Sequence, residues 1–224
     1  MDLNIPDANI ATIVTAFACD TNQARVILSK ATVREYPVRM TIIESDALND
    51  QLFIMLAGHA QMHSYAINGR LIVVEDYHVG NIFGEGGLIS AQIEAEQVVA
   101  VELVQAGSFQ NQIFIGLMST YSCIALAFSR LMVERLSKTT RRLVEGATLS
   151  ANGRIHAELL RQARAAQAMT IKPAPVLSIF AQSVQSTRET VSRAISALEK
   201  RGIIRRDELS LTIVAPHRLE ELVY

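Results

Sequence analysis

The fold of this chain is decided at residues 186–202, which read STRETVSRAISALEKRG. Val191, Ile195 and Leu198 recur at helical spacing, so they predict a helix with one buried face. The opposite face is polar and carries Arg188, Glu189, Ser192, Arg193, Ser196 and Lys200. Arginine can donate two hydrogen bonds to guanine and glutamate can accept one from cytosine, so this face has the groups that read bases in a DNA major groove.

Both ends of this helix carry a sequence signal. Ser186 followed by Glu189 matches a capping box, which predicts that the helix starts at Thr187. Gly202 is placed to end it. The charged pairs on the polar face are also compatible with ordinary helix-surface chemistry, so the segments on either side must decide between the two interpretations.

The flanking segments favour DNA binding. Residues 177–184 predict a preceding helix with apolar side chains turned inward, as in the supporting helix of a helix-turn-helix. Residues 203–214 predict a hairpin around an Asp207-Glu208 turn. This hairpin is typical of a wing, in which Arg205 and Arg206 would contact DNA phosphates. We therefore predict a C-terminal winged helix-turn-helix.

The first half of the chain has a different pattern. A helical pattern over residues 10–30 is followed, from 33 to 104, by short apolar runs that turn residues separate. Asn68-Gly69 between two of these runs is a strong hairpin signal, because both central positions of a tight hairpin turn favour positive φ. Short strands at this spacing predict an antiparallel roll or barrel.

A long helical pattern follows the strands, from about residue 108 to 145, and no charged residue occurs between Glu102 and Arg130. Polar residues at 119–122 interrupt this apolar stretch, which disfavours the alternative of a transmembrane helix. We expect a central helix that is buried against its own domain and against a second subunit. The side chains expected to be covered by the second subunit are Ile113, Leu117, Ile124, Phe128, Leu131 and Leu136.

The charge of the chain is polarised along its length. The 224 residues hold 21 Lys and Arg against 22 Asp and Glu, and this net charge of −1 alone argues against nucleic-acid binding. Residues 1–149 carry ten against 15, net −5, whereas residues 150–224 carry 11 against seven, net +4. We predict an acidic sensor domain with the central helix at 1–149 and a basic DNA-binding domain at 150–224.

Composition narrows the remaining classes of protein. Cys19 and Cys123 are the only cysteines, so one chain can build neither a disulfide framework nor a thiolate cluster for zinc or iron–sulfur. The first residues lack a basic region, so no signal peptide is evident, and we expect a cytoplasmic protein that does not bind membranes. Neither a nucleophile elbow nor a phosphate loop is present, so we do not expect an enzyme.

Two sets of motifs in this chain resemble one family. Residues 187–193 and 198–204 look like the winged-helix signature of the Crp/Fnr family, the catabolite activator and fumarate-nitrate regulators of bacterial transcription. Residues 52–60, 68–70, 80–85 and 87–88 are similar, in order and spacing, to the cyclic-nucleotide-binding β-roll of that family. Arg154-Ile155 and residues 157–160 are similar to the first helix of its DNA domain, and the resemblance covers roughly residues 30–215.

The resemblance implies an α+β protein with an N-terminal cyclic-nucleotide-binding-type antiparallel β-roll, a long central dimerisation helix and a C-terminal winged helix-turn-helix. It places Arg188, Glu189 and Arg193 on the base-reading positions, which implies half-sites related to TGTGA. A homodimer would bind a near-palindromic operator with half-sites about one helical turn apart, and an activator would also contact RNA polymerase. The residues expected at the DNA backbone are Ser186, Thr187, Ser192, Lys200, Arg205 and Arg206.

One departure lies in the turn between the two DNA-domain helices. Gln185 stands where the family often has Gly, and a residue other than glycine at positive φ costs about 1 kcal/mol. We expect the fold to absorb this cost.

The resemblance also implies a candidate effector pocket. In relatives that bind a cyclic nucleotide, a Gly-Glu pair holds the ribose, a later Arg-Ser pair holds the phosphate, and a Thr-Ser pair on the central helix contacts the purine. Gly84-Glu85 and Thr139-Thr140 match the first and third pairs, but Ala95 and Glu96 stand on the Arg-Ser positions.

Charge makes cyclic AMP a poor fit by this mode. No Lys or Arg occurs between Arg70 and Arg130, and a buried phosphate without a cation is costly. The same span holds six acidic residues, Glu75, Asp76, Glu85, Glu94, Glu96 and Glu102. We expect an effector that is unknown or absent, with Glu85 serving the tight turn and Thr139 and Thr140 equally compatible with seam or surface positions. The alternative is a cyclic-AMP-type regulator that uses Glu85 and Thr139 or Thr140 despite the missing Arg.

Two other sensors and one other class of function were weighed. Haem would need His59, His63 or His78, and in a strand pattern His59 and His63 lie about 13 Å apart, too far to hold one metal. We expect no haem, no iron–sulfur cluster and no other metal. The competing class is a small-molecule sensor whose DNA domain is secondary, which a ligand bound near Glu85 and Thr139 would reveal.

Overall fold

The structure is a computed structural model that describes residues 6–45, 49–65, 69, 71–89 and 97–224. It divides into two compact units, the first ending at Val133 and the second running from Glu134 to Tyr224. The division falls inside a continuous helix, earlier than the boundary at residues 149 and 150 that the punctuation by glycine and serine predicted. Each unit is described separately.

The helical pattern over residues 10–30 forms two helices, α1 (Asp7–Phe17) and α2 (Thr21–Ser29). The chain leaves α1 at Ala18, whose φ of 50° is left-handed. A capping box then starts α2, since the Asp20 carboxylate accepts from the Gln23 N–H at 2.8 Å and the Gln23 side-chain oxygen accepts from the Asp20 N–H at 3.2 Å.

Eight strands form the predicted antiparallel roll. They are β1 (Thr32–Tyr36), β2 (Thr41–Ile43), β3 (Gln51–Ala57), β4 (Ala60–Tyr65), β5 (Leu71–Tyr77), β6 (Ile82–Phe83), β7 (Gln97–Ala100) and β8 (Val104–Gln110). One sheet has the order β1-β8-β3-β6 and the other β2-β7-β4-β5, with antiparallel pairing throughout. A short 3₁₀ helix spans Glu85–Ile89.

The predicted hairpin joins β4 to β5. Tyr65 pairs with Leu71, and Gly69 has the positive φ, 76°, that the turn requires. Asn68 of the same signal lies outside the described residues. Inside the roll, the Phe83 ring stacks on Phe53 and Tyr77 with centroids 5.1 and 4.8 Å away, which fixes the packing of the two sheets.

The central helical pattern differs from the prediction of one helix over 108–145. Ser108 lies in β8 opposite Thr32, because the strand continues to Gln110. The helical residues form α3 (Asn111–Thr120) and α4 (Ser122–Thr148), which meet at an angle of 113° across the extended Tyr121. At the end of α3, Ser119 and Thr120 donate their hydroxyls to carbonyls one turn earlier, a habit that favours helix bends.

This bend corrects the predicted subunit-facing side. Leu117 and Ile124 are buried in the core of the first unit, and Phe128 and Leu131 pack partly against it. Of the six predicted side chains, only Ile113 and Leu136 are exposed, 37% and 67% respectively. The exposed apolar side chains of α4 are instead Leu126, Val133, Leu136, Leu143 and Val144.

Among the described residues, no single helix has both the length and the apolar composition to cross a membrane. Only α3 and α4 taken together across their bend reach that length and composition.

The second unit contains the end of α4 and a compact α/β arrangement. Its elements are α5 (Ala151–Ala165), a 3₁₀ turn (Gln167–Met169), β9 (Thr170–Ile171), α6 (Leu177–Ser183), α7 (Arg188–Lys200), β10 (Ile204–Arg206), β11 (Leu211–Ile213) and α8 (Pro216–Glu220). The three strands form an antiparallel sheet in the order β10-β11-β9. Helices α5, α6 and α7 pack around one apolar core, in which Ile155, Leu159, Val191 and Ile195 are fully buried. The predicted winged helix-turn-helix is therefore present.

Candidate nucleic-acid interface

Helix α7 begins one residue later than predicted, at Arg188. The N-cap is Thr187, whose hydroxyl oxygen accepts from the Thr190 N–H at 3.1 Å. The predicted capping box between Ser186 and Glu189 is wrong, because the Ser186 N–H is used in the turn, where it donates to the Ala181 carbonyl at 2.8 Å. With Thr187 as the cap, Glu189 falls at the second helical position and is exposed.

The two faces of α7 are those predicted. Val191 and Ile195 are fully buried, and Leu198 is nearly so. Every side chain predicted to read bases is exposed, namely Arg188, Glu189 and Arg193. The 13 residues of α7 span about 20 Å, long enough to lie along a major groove.

The spacing of the base-reading residues suits successive base pairs. Arg188 and Arg193 lie five residues apart, about 7.5 Å along the helix axis, which is close to two base-pair steps. Arg193 donates its Nε–H to the Glu189 carbonyl at 3.4 Å, so its two terminal nitrogens point away from the backbone bond and remain suited to bidentate contact with guanine. The arrangement can therefore read two or three adjacent bases.

The turn before α7 contains Gln185 with a φ of 51°, the left-handed conformation expected where the family has glycine. At the other end of α7, Gly202 has a φ of 67°. There the Ile203 N–H donates to the Leu198 carbonyl at 3.0 Å, which closes the helix and directs the chain into the wing.

The wing forms as predicted from β10 and β11, with Arg205 and Arg206 exposed on its first strand. Asp207 shapes its tip, because its carboxylate accepts from the N–H groups of Leu209 and Ser210 at 2.9 and 2.7 Å. A further hydrogen bond from the Ser210 hydroxyl is the main cause that lowers the pKa of Asp207. Arg206 lies 3.9 Å from the Glu199 carboxylate, an ion pair the sequence did not reveal, so Arg205 is the better placed of the two for a phosphate.

The division into units sharpens the charge polarity. Residues 134–224 carry 15 Lys and Arg against nine Asp and Glu, net +6, because they include the basic second half of α4. Residues 1–133 carry six against 13, net −7. The unit that holds α7 is thus the one whose charge attracts nucleic acid.

The predicted effector residues fall in both units. Gly84 has a φ of 83°, and a Cβ there would stand 2.8 Å from the Gln51 carbonyl oxygen, so the tight turn needs glycine. Glu85 follows it, half-buried at the start of the 3₁₀ helix. Thr139 and Thr140 are exposed on the part of α4 that belongs to the second unit. Ala95 and Glu96 lie outside the described residues, so their place in the pocket stays a prediction.

The three histidines considered for haem form a polar cluster on β4 and β5. His59, which lies in the turn before β4 rather than in a strand, contacts the Asp76 carboxylate at 2.9 Å and stacks on the His78 ring at 4.5 Å. His63 lies in β4, and burial lowers its pKa. Within the described part of the chain, no three His, Cys, Asp or Glu side chains are grouped so as to hold a metal ion.

Two family models match the chain in the order of its units. The cyclic nucleotide-binding domain matches residues 33–121, and the Crp-like helix-turn-helix domain matches residues 153–222. The second match contains α5, α6, α7 and the wing.

Individual relatives cover most of the chain. The cAMP-activated global transcriptional regulator CRP of Pasteurella multocida is 26% identical over 182 residues, which is 79% of this chain and 87% of that protein. The cAMP-activated global transcriptional regulator Vfr of Pseudomonas aeruginosa is 28% identical over 179 residues, 76% of this chain and 84% of its own length.

Solved structures show the same fold. A variant of CooA from Carboxydothermus hydrogenoformans has a TM-score of 0.79 at 14% identity and covers 99% of this chain and 98% of its own. The c-di-GMP-responsive global regulator CLP of Xanthomonas campestris has a TM-score of 0.70 at 19% identity and covers 87% of this chain and 99% of its own. These matches confirm the predicted β-roll, long helix and C-terminal helix-turn-helix.

Proposed function

We propose a function from one premise: the chain belongs to the Crp/Fnr family of transcription regulators, as both family models and the curated relatives show. It is therefore a regulator with a helix-turn-helix DNA-binding domain rather than an enzyme. What remains to be proposed is how it selects DNA, in which oligomeric state it acts, and what signal it receives.

The chain acts as a sequence-specific DNA-binding protein that reads TGTGA-related half-sites through α7. The observation that carries this proposal is the exposure of Arg188, Glu189 and Arg193 on the first two turns of α7, above a fully buried apolar face. Residues at these turns of a recognition helix contact base edges, while cations on neighbouring elements contact phosphates. Lys200 and Arg205 are exposed and suit the second role, together with the hydroxyls of Thr187 and Ser192.

The active form is a homodimer that pairs through α4. Leu126 and Val133 are seven residues apart, as are Leu136 and Leu143, and all four are more than half exposed in the single chain. A seven-residue apolar repeat on one helix is the pattern that a second parallel helix covers. Two copies of α7 then require a near-palindromic operator with half-sites about one helical turn apart.

The effector is unknown or absent, and cyclic AMP does not bind by the mode the fold family implies. Support comes from the span between Arg70 and Arg130, which lacks a cation for the phosphate, and from Gly84, whose packing against Gln51 gives the Gly-Glu turn a structural use. The second candidate is a cyclic-AMP-type regulator that uses Glu85 with Thr139 or Thr140, which the names of CRP and Vfr favour. Calorimetry with micromolar cyclic AMP separates them, since a clear isotherm would support the second candidate and the absence of heat the first.

The chain works in the cytoplasm, where the DNA lies, and contacts RNA polymerase if it activates transcription. These statements rest on the names of its relatives as transcriptional regulators.

The experiment that tests the proposed function is selection of bound duplexes from a random-sequence pool with the full-length chain. We expect an inverted repeat whose two arms each contain a TGTGA-related half-site. Enrichment of an unrelated single site, or of no sequence, would overturn the proposed function.

A further inference from the structure

Arg154 joins three segments of the second unit through its side chain. It lies in the first turn of α5 and donates its Nη1–H to the Leu149 carbonyl at 3.1 Å, just beyond the end of α4. Its Nε–H donates to the Val184 carbonyl at 2.9 Å and its Nη2–H to the Gln185 carbonyl at 3.1 Å. One guanidinium therefore contacts the end of the central helix and the turn that leads into α7.

The acceptors are the groups that a guanidinium suits best. Carbonyls at helix C-termini have no partner within their own helix and carry the negative end of the helix dipole. Leu149 follows α4 and Val184 follows α6, so both supply such carbonyls. Arginine presents five donors in a rigid planar fork, whereas the point charge of lysine does not span three acceptors in fixed directions.

The Gln185 contact bears directly on the direction of α7. A left-handed residue other than glycine is held only by its surroundings, and Gln185 has a φ of 51°. Its carbonyl is the one that Arg154 holds, and three residues later α7 begins. Its side-chain oxygen also lies near Gly146 of α4, 3.7 Å from the place a Cβ would take. The turn is thus tied to the end of α4 by two contacts.

We propose that Arg154 is a positioning residue for DNA recognition: it fixes the turn at Gln185 against the end of α4 and thereby sets the direction of α7. The inference rests on the proposed function, since it concerns how α7 reads bases. Arg154 acts through the turn and does not itself contact DNA. Sequence patterns give no sign of this role, because a single arginine in a first helical turn is ordinary.

The test compares the full-length chain with Arg154→Met and Arg154→Lys on the selected operator and on a scrambled duplex of equal length. Arg164→Met is the matched control, since Arg164 lies on the same helix but pairs with Glu220 at the surface. We expect Arg154→Met to lose about tenfold in operator affinity while affinity for the scrambled duplex and its salt dependence stay unchanged. Arg154→Lys restores little of the loss, and Arg164→Met binds both duplexes like the wild type.

A second variant separates positioning from stability. Gln185→Gly removes the strain at positive φ, so in the Arg154→Met background it should recover part of the operator preference. Thermal melts of every variant show whether the domain is folded at the binding temperature. An equal loss on both duplexes with a shallower salt slope would make Arg154 a phosphate contact, and an unchanged ratio would make it dispensable; either result overturns the inference. If the wild-type chain itself shows no preference, the proposed function fails first.

Discussion

Replacing Arg193 by alanine tests base reading at one defined position. Arg193 is exposed on the second turn of α7, and its Nε–H is engaged with the Glu189 carbonyl. Its two terminal nitrogens are therefore the donors that a guanine would receive, and one bidentate pair discriminates by about 1–3 kcal/mol. A homodimer places two copies on a symmetric operator, so the variant should lose about 2–6 kcal/mol, or roughly 30-fold to 10⁴-fold in affinity.

The assay is the affinity of Arg193→Ala and wild type for the selected operator and for each of its single-base variants, at one salt concentration. We expect the loss to be confined to duplexes that keep the cognate base, so that the variant no longer distinguishes bases at one position of each half-site. Arg201→Ala is the matched control, because Arg201 is an exposed cation just beyond the end of the same helix. A loss of equal size on every duplex, like the one a phosphate contact gives, would refute the assignment.

Three other predictions follow from single contacts. Thr187→Ala should lower the free energy of unfolding by about 1 kcal/mol because the α7 cap is lost, whereas Ser186→Ala should change it less; denaturant melts that rank them in the opposite order would restore Ser186 as the cap. Leu136→Glu with Leu143→Glu should give a monomer in sedimentation and Val38→Glu, exposed in the β-roll, should not; a double variant that remains a dimer would move the interface off α4. Burial lowers the pKa of His156 below its usual 6.5, so the unfolded chain binds the proton more readily and stability should fall as pH drops below about 6.5. His156→Gln should flatten that slope in melts between pH 7 and 5, and an unchanged slope would assign it to other groups.

The sequence was sufficient for the recognition helix because its two faces follow from local periodicity. Val191, Ile195 and Leu198 are buried and the charged residues opposite them are exposed, as their spacing predicts. The hairpin at Gly69 and the helix end at Gly202 were predictable for a related reason, since glycine marks positions of positive φ. Such local signals do not depend on the rest of the chain.

The errors arose where tertiary contacts decide. Ser186 and Thr187 are both good caps by type, and only the hydrogen bond of Ser186 to Ala181 across the turn selects Thr187. The bend at Tyr121 likewise depends on packing against the β-roll, which buries Leu117 and Ile124 although a straight helix would present them to a partner. The contacts of Arg154 join segments more than 30 residues apart along the chain, a distance that no sequence motif encodes.

The most direct test of the central claim is the ratio of affinities of the full-length chain for its selected operator and for a scrambled duplex, measured near physiological salt. The account predicts a ratio of at least about 10³, as specific DNA-binding proteins show. A ratio near one, with both affinities falling alike as salt increases, would show that the basic unit binds DNA only through its charge and would contradict the account.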